Sequence, residues 1–318
     1  MFDGVGVAIL VALVVVFGAI TTGARRTRRP VLKWGGLLLG IPLTLVAIVA
    51  TGMALAGFYH LNATHSNPVS NIKVASTPEQ LTRGEQLANI CVGCHSSNGQ
   101  LPLGGQNFAR NSPPVGTIYA ANLTPIHLQS WSDGEIIRAI REGVHKSGRS
   151  LLFMPSSAFH AMSDDDVQAL VAYLRAQPPG QPDTPATRIN VVGAILSNVL
   201  PLSSAQAPIG GPVVAPPEGA TPAYGRYLSA IGGCMECHGP ALTGGASGQG
   251  PAPGPDLTMI ARNWNEDDFI KTIRTGVTPS GHQLSAGMPW KEISAFTSNN
   301  DLRAIYAYLG KLSAPAHK

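Results

Sequence analysis

Charge and aromatic side chains are both scarce in this chain. Of its 318 residues, 13% are charged and 6% are aromatic, so one large aromatic-rich core is disfavoured. Thirty-six glycines and 26 prolines suit small, loop-rich domains, and the length allows about two of them. Small domains have thin cores and lean on a cofactor, a metal or disulfides. The net charge of +4 has a single source. Residues 1–58 hold Arg25, Arg26, Arg28, Arg29 and Lys33 against one acid, Asp3, and the remainder balances. A nucleic-acid-binding patch is thereby excluded. No phosphate-cradling glycine loop, flavin fingerprint or catalytic triad occurs, and no small-molecule substrate is expected. Cysteine is scarce as well: there are four, all in two copies of one pentapeptide.

What is present begins with two long apolar runs. Residues 4–20 and 34–58 carry no charge. A helix needs roughly 20 apolar residues to cross a bilayer, so both qualify as transmembrane helices. The arginine-rich loop between them predicts a cytoplasmic loop by the positive-inside rule. The N-terminus and everything after Phe58 then lie outside the bacterial cytoplasmic membrane, on the periplasmic side. "TRRPVLK" (27–33) resembles a twin-arginine export signal, and "ALA" (54–56) a cleavage site. The length of 34–58 and the apolar run before it favour two retained helices.

The pentapeptides are "CVGCH" (91–95) and "CMECH" (234–238). C-x-x-C followed by His is the signature of c-type haem attachment. Two thiols add to the haem vinyl groups, and the next residue projects its imidazole at the iron. A redox dithiol does not need that histidine, and a four-cysteine zinc site would need neither. The expected cofactors are therefore two covalently bound haem c groups. Cys91 and Cys94 attach the first, with His95 as iron ligand. Cys234 and Cys237 attach the second, with His238.

An internal repeat supplies candidates for the sixth ligands. "RGEQLANICVGCH" (83–95) lies over "YGRYLSAIGGCMECH" (224–238), "NLTP" (122–125) over "DLTM" (256–259), and "WSDGEIIRAIREGV" (131–144) over "WNEDDFIKTIRTGV" (264–277). Each unit then reaches Met-Pro, at Met154 and Met288, 23 and 24 residues after its tryptophan. A soft thioether raises the potential of c-type haem, and the proline stiffens its presentation. Met162, Met235 and Met259 read as core packing. His127, His145, His160 and His282 are rival ligands, but neither His145 nor His282 has a matching histidine in the other unit. Trp131, Trp264, Arg141 and Arg274 suit haem propionates and ordinary packing or solvation equally. Each unit closes with an amphipathic helix, 163–177 and 298–312, opened by a serine cap and expected to pack on the helix leading into its haem motif.

At these residues the chain resembles the mono-haem c-type cytochrome family, twice over. "PPVGTIYAANLTP" (113–125) with the motifs that follow is similar to the cytochrome subunits of membrane-bound alcohol and gluconate dehydrogenases. "PDLT", "RTGVTPSG" and "GMPW" carry a looser likeness in the second unit. The resemblance implies all-helical domains, His/Met haems and electron transfer in the periplasmic space. Those subunits carry three haems and no pair of N-terminal spanning helices, whereas this chain has two of each.

The expected architecture is all-α. A membrane anchor (1–60) with two transmembrane helices precedes two tandem cytochrome c domains (72–180 and 219–318), joined by a Pro/Gly-rich linker (181–218). Within the linker, 189–202 is apolar but too short to span. It could pack between the haem domains, lie along the membrane or meet a partner. The expected function is electron transfer between redox protein partners, as a subunit of a respiratory or photosynthetic membrane complex. The dihaem subunit of high-affinity haem–copper oxidases has similar topology. A dihaem peroxidase is the enzymatic alternative, and it needs one iron with an open or displaceable sixth position.

Overall fold

The computed structural model describes residues 3–108, 114–180, 184–245 and 253–313. Pro113 of the family-like stretch, residues 181–183 of the linker and the C-terminal residues 314–318 lie outside the described residues. Helices dominate, and the named strands among the described residues are two residues long. The chain forms two compact units.

One unit contains residues 1–63, 107–119 and 185–201. Its frame is two helices, Gly4–Arg26 and Pro30–Asn62, each long and apolar enough to cross a membrane. Asp3 caps the first by accepting from the Gly6 amide at 2.9 Å. Pro30 opens the second, where its missing N–H costs nothing. Small residues let the pair close: a Cβ on Gly36 would lie 2.6 Å from that of Ala24, and one on Gly40 would lie 2.5 Å from Thr21 Oγ1. Thr21, Thr44 and Thr51 hydroxyls donate to carbonyls one turn back, so these three are satisfied within their own helices. Only 6% and 17% of the most apolar windows are buried, which leaves valines and leucines facing outward along both helices. The apolar linker stretch folds here too. Gly116 and Thr117 pair antiparallel with Ile189 and Arg188, and Asn190 then caps a short helix, Val191–Leu196.

The other unit contains residues 64–106, 120–184 and 202–318, and it holds both repeats. Each has a leading helix (Pro78–Ala88; Pro222–Ile231), a middle helix (Asp133–Glu142; Glu266–Thr275) and a closing helix (Asp164–Ala176; Asn299–Ser313). Local chemistry sets the bounds. Thr77 and Thr221 cap the leading helices ahead of a proline. Ser132 and Glu135 form a capping box, and Gly143 and Gly276 end the middle helices at φ 64° and 72°.

Leading and closing helices cross at a glycine in both repeats. A Cβ on Gly84 would lie 2.0 Å from the Ala169 carbonyl oxygen, and one on Gly225 would lie 1.9 Å from that of Ala304. No side chain fits there, so the backbones touch. The interface between repeats has approximate two-fold logic. Gln86 Nε2 donates to Asp301 at 3.3 Å, and Tyr227 Oη donates to Asp166 at 2.6 Å. Gln86 and Tyr227 occupy matched positions on the leading helices, and each aspartate is the third residue of the opposite closing helix. One continuous apolar core runs through both repeats, with Leu87, Leu170, Leu228, Phe296 and Leu302 among its buried members.

Candidate haem sites

Both pentapeptides sit on single helical turns, Val92–His95 and Cys234–His238, just beyond the leading helices. All four thiols are free. Burial, aided by the neighbouring Cys94, pushes the Cys91 thiol up to about 12, and burial pushes Cys234 up to about 11. Among the described residues no group of three or more Cys, His, Asp and Glu gathers as a metal cluster.

The histidines are held alike. His95 Nδ1 lies 2.8 Å from the Ala121 carbonyl, and His238 Nδ1 lies 2.7 Å from the Pro255 carbonyl. A carbonyl can only accept, so Nδ1 carries the proton and Nε2 is left with its lone pair. Burial lowers the His95 pKa against the opposing effect of that hydrogen bond, which favours the neutral, ligating form. His238 is buried and its Nε2 has no hydrogen-bond partner. An orphaned lone pair in an apolar site is what an iron-ligating imidazole presents in the absence of iron, so the residues fit haem. Gly254 completes this cradle: a Cβ there would lie 2.6 Å from His238 Nδ1.

The supporting loops match bond for bond. Gly105 donates to the His95 carbonyl at 2.8 Å, and Gly244 donates to that of His238 at 2.9 Å. The Leu123 amide donates to Leu103, and the Leu257 amide to Leu242, both at 2.8 Å. Asn122 accepts from the Thr124 amide and hydroxyl, as Asp256 does from Thr258. The carbonyls that orient the imidazoles therefore come from the residue just before the matched "NLT" and "DLT". The repeat alignment contained that signal, and a search confined to side chains passes over it.

The two Met-Pro segments also share one geometry. The Ser156 amide donates to the Met154 carbonyl and the Trp290 amide to the Met288 carbonyl, each at 2.8 Å. Pro155 and Pro289 adopt nearly the same conformation, φ −79° with ψ 55° and 52°, and each opens a short helix. Met154 and Met288 are half-buried against the core. Met162 is buried as the sequence suggests, but Met259 is 42% exposed, so its core reading is corrected: the preceding loop leaves it on the surface.

Both candidate arginines find structural partners. Arg141 pairs with Asp164 at 2.5 Å, and Arg274 bonds Asn299 and the Thr297 carbonyl. Both arginines thus tie a middle helix to the start of its closing helix. His160 Nδ1 lies 3.0 Å from the Arg141 carbonyl, and His145 packs edge-on to Trp131. The buried Trp131 Nε1 has no partner.

The repeats meet at their haem motifs. Ser157, three residues after Met154, donates to Glu236 of the second pentapeptide at 3.2 Å. Reciprocally, a Cβ on Gly93 of the first pentapeptide would lie 3.5 Å from Glu292, four residues after Met288. Gly93 and Glu236 are matched positions. Each Met-Pro helix therefore abuts the attachment turn of the other repeat.

Comparison with known proteins agrees with this geometry. Residues 81–178 match the model of the cytochrome c family, and residues 220–309 match that of cytochrome c oxidase, cbb3-type, subunit III. The chain is 30% identical over 270 residues to the gluconate 2-dehydrogenase cytochrome c subunit of Pantoea cypripedii, covering 73% of this chain and 59% of that protein. It is 26% identical over 304 residues to the fructose dehydrogenase cytochrome subunit of Gluconobacter japonicus, covering 86% and 60%. A nicotinate dehydrogenase subunit of Pseudomonas putida is 28% identical over 303 residues, covering 88% and 25%. The chain thus spans a quarter to about three fifths of the length of these relatives. Two of these relatives are named as cytochrome subunits of dehydrogenases. Two haem motifs on one repeated fold, each matching a cytochrome family model, show that this chain carries two tandem cytochrome c domains with covalently bound haem c in each.

Proposed function

We propose that this protein is a membrane-anchored electron-transfer subunit that serves a dehydrogenase or a related respiratory complex. The anchor is residues 1–60, the cytochrome c domains are 72–180 and 219–318, and 181–218 connects them. The anchor crosses the cytoplasmic membrane twice, with its arginine-rich loop inside, so that the N-terminus and both haem domains lie on the periplasmic face. The outward-facing apolar side chains of both helices support this topology. Relatives named as dehydrogenase cytochrome subunits support a partner of that kind.

When bound, haem supplies a one-electron ferrous/ferric couple. The chain's own residues attach it, orient it and keep water from it. Cys91 and Cys94, and Cys234 and Cys237, provide the thioether links. His95 and His238 present Nε2 because the Ala121 and Pro255 carbonyls hold the Nδ1 protons. Met154 and Met288 would supply the second ligand to each iron, each on a matched Met-Pro turn. The matched geometry of those two turns is the observation that carries this reading. With a histidine and a methionine both holding each iron, neither site would be open to a substrate.

The test is a reductive redox titration of the detergent-purified protein by visible spectroscopy. Two low-spin c-type transitions with the weak ferric sulfur-to-iron band are expected. Met154→Ala and Met288→Ala should each remove part of that band and lower one potential. A high-spin component in the unaltered protein would instead support the peroxidase alternative. Co-purifying subunits would identify the donor complex.

A further inference from the structure

The stretch 189–202 is apolar and uncharged, yet too short to cross a bilayer. In the anchor-containing unit it is fastened to both apolar helices. The Val191 amide donates to Asp3 at 3.0 Å, at the start of the first helix. Gly57 of the second helix admits the Ala194 carbonyl so closely that a Cβ would lie 1.8 Å from its oxygen. Asn198 Nδ2 then donates to the Met53 carbonyl at 2.9 Å. From Gly57 to Met53 is about one helical turn, roughly 6 Å along the axis. Both residues belong to the apolar run 34–58, so the segment runs along the spanning helix towards the bilayer interior rather than away from it.

Its polar side chains and several of its amides are satisfied locally. The Ser197 hydroxyl donates to the Ala194 carbonyl, the Asn198 side chain also reaches Ala194 and Ile195, and the Val199 and Leu200 amides donate to Leu196. Its exposed large side chains are apolar, Val192 at 42%, Val199 at 70% and Leu200 at 47%, while the exposed Asn198 is the residue bonded to the Met53 carbonyl. Backbone at membrane depth needs its hydrogen bonds met within the protein, and the amides of Val191, Gly193, Ala194 and residues 197–200 are met in this way.

We infer that residues 191–200 insert into the outer leaflet beside the second spanning helix, as a third membrane contact whose partner is lipid acyl chain. The inference rests on the reading that the two helices cross a bilayer. In the haem-loaded protein all four native cysteines are thioether-linked, so an added cysteine is the one reactive thiol. Val199→Cys and Leu200→Cys would be spin-labelled in the full-length holoprotein in phospholipid nanodiscs. Leu55→Cys serves as the lipid reference and Val214→Cys, 82% exposed in the haem-bearing unit, as the water reference. Accessibility to oxygen, which enters the bilayer, is compared with that to a water-soluble nickel chelate. Labels at 199 and 200 are expected to match the one at 55 and to favour oxygen several-fold over the one at 214. If they match 214 while 55 remains lipid-like, the insertion is overturned and the anchor stands. If both reagents fail to reach them, protein covers the segment and the inference is again overturned. If the label at 55 behaves like that at 214, the anchor reading fails and takes the inference with it.

Discussion

The two cytochrome repeats hold their histidines and methionines by the same bonds, but their surroundings differ. In the first repeat the middle helix is wrapped. Gly134, Ile136, Arg138, Ile140, Arg141 and Glu142 are all buried. Asn67 donates to Glu142 at 2.6 Å, Arg138 reaches the Asn67 carbonyl, and connector residues Gln206 and Ile209 donate to Glu142. The connector continues along the same repeat, where Val213 and Asp164 exchange hydrogen bonds. In the second repeat only Phe269, Thr272 and Ile273 of the middle helix are buried. The residues that fit haem are thus a repeated module, and the covering segments are additions to one copy. An outward face on the second middle helix leaves that repeat the more exposed.

The comparison can be broken most severely at the helix crossings. Gly84→Val and Gly225→Val each place atoms inside a backbone carbonyl, and each should cost about 3 kcal/mol. Calorimetry of the holoprotein checks this. A strong effect at one position alone would mean that the crossings are not equivalent. The next largest effect separates the sites. Gly254→Ala pushes on the His238 imidazole, so a high-spin fraction should appear in one of the two haems and leave the other low-spin. Loss of low-spin character in both would show that the sites are not independently built.

The interface between repeats sharpens the comparison further. Tyr227 is buried, and its hydroxyl is bonded to Asp166 and to Ser163. Tyr227→Phe strands that carboxylate in part and should cost about 2 kcal/mol in chemical denaturation. The matched pair, Gln86 to Asp301, is longer and more exposed, so Gln86→Ala should cost about 0.5 kcal/mol. The smallest expected effect is electrostatic. The Glu292 carboxylate beside Gly93 favours the more positive oxidised state nearby. Glu292→Gln should therefore raise the potential of one haem modestly and leave the other in place, as a redox titration would resolve.

Much of each site was legible in the sequence. C-x-x-C-H names its own chemistry, because covalent attachment and proximal ligation demand those residues at that spacing. The repeat offsets singled out Met154 and Met288 from five other methionines that carry no matched proline. The serine caps and apolar spacing of the closing helices were also legible, because helix boundaries follow local chemistry. The sequence was weaker wherever a side chain could serve two purposes. Arg141 and Arg274 suit a propionate and a carbonyl equally well, and the structure gives them to Asp164, Thr297 and Asn299. Met259 is as apolar as Met162, yet only Met162 lies where the core closes.

The sequence by itself determined the cofactor class, the repeat and the two apolar runs, since each depends on residue type and spacing along the chain. Tertiary structure alone decided that the Ala121 and Pro255 carbonyls fix the imidazoles. It alone brought each Met-Pro helix against the other repeat's attachment turn, and it docked the apolar connector on Gly57 and Met53. Backbone carbonyls are the same at every residue, and a glycine's value lies in what approaches it. Neither property is written in composition or period, so both emerge only when distant segments meet.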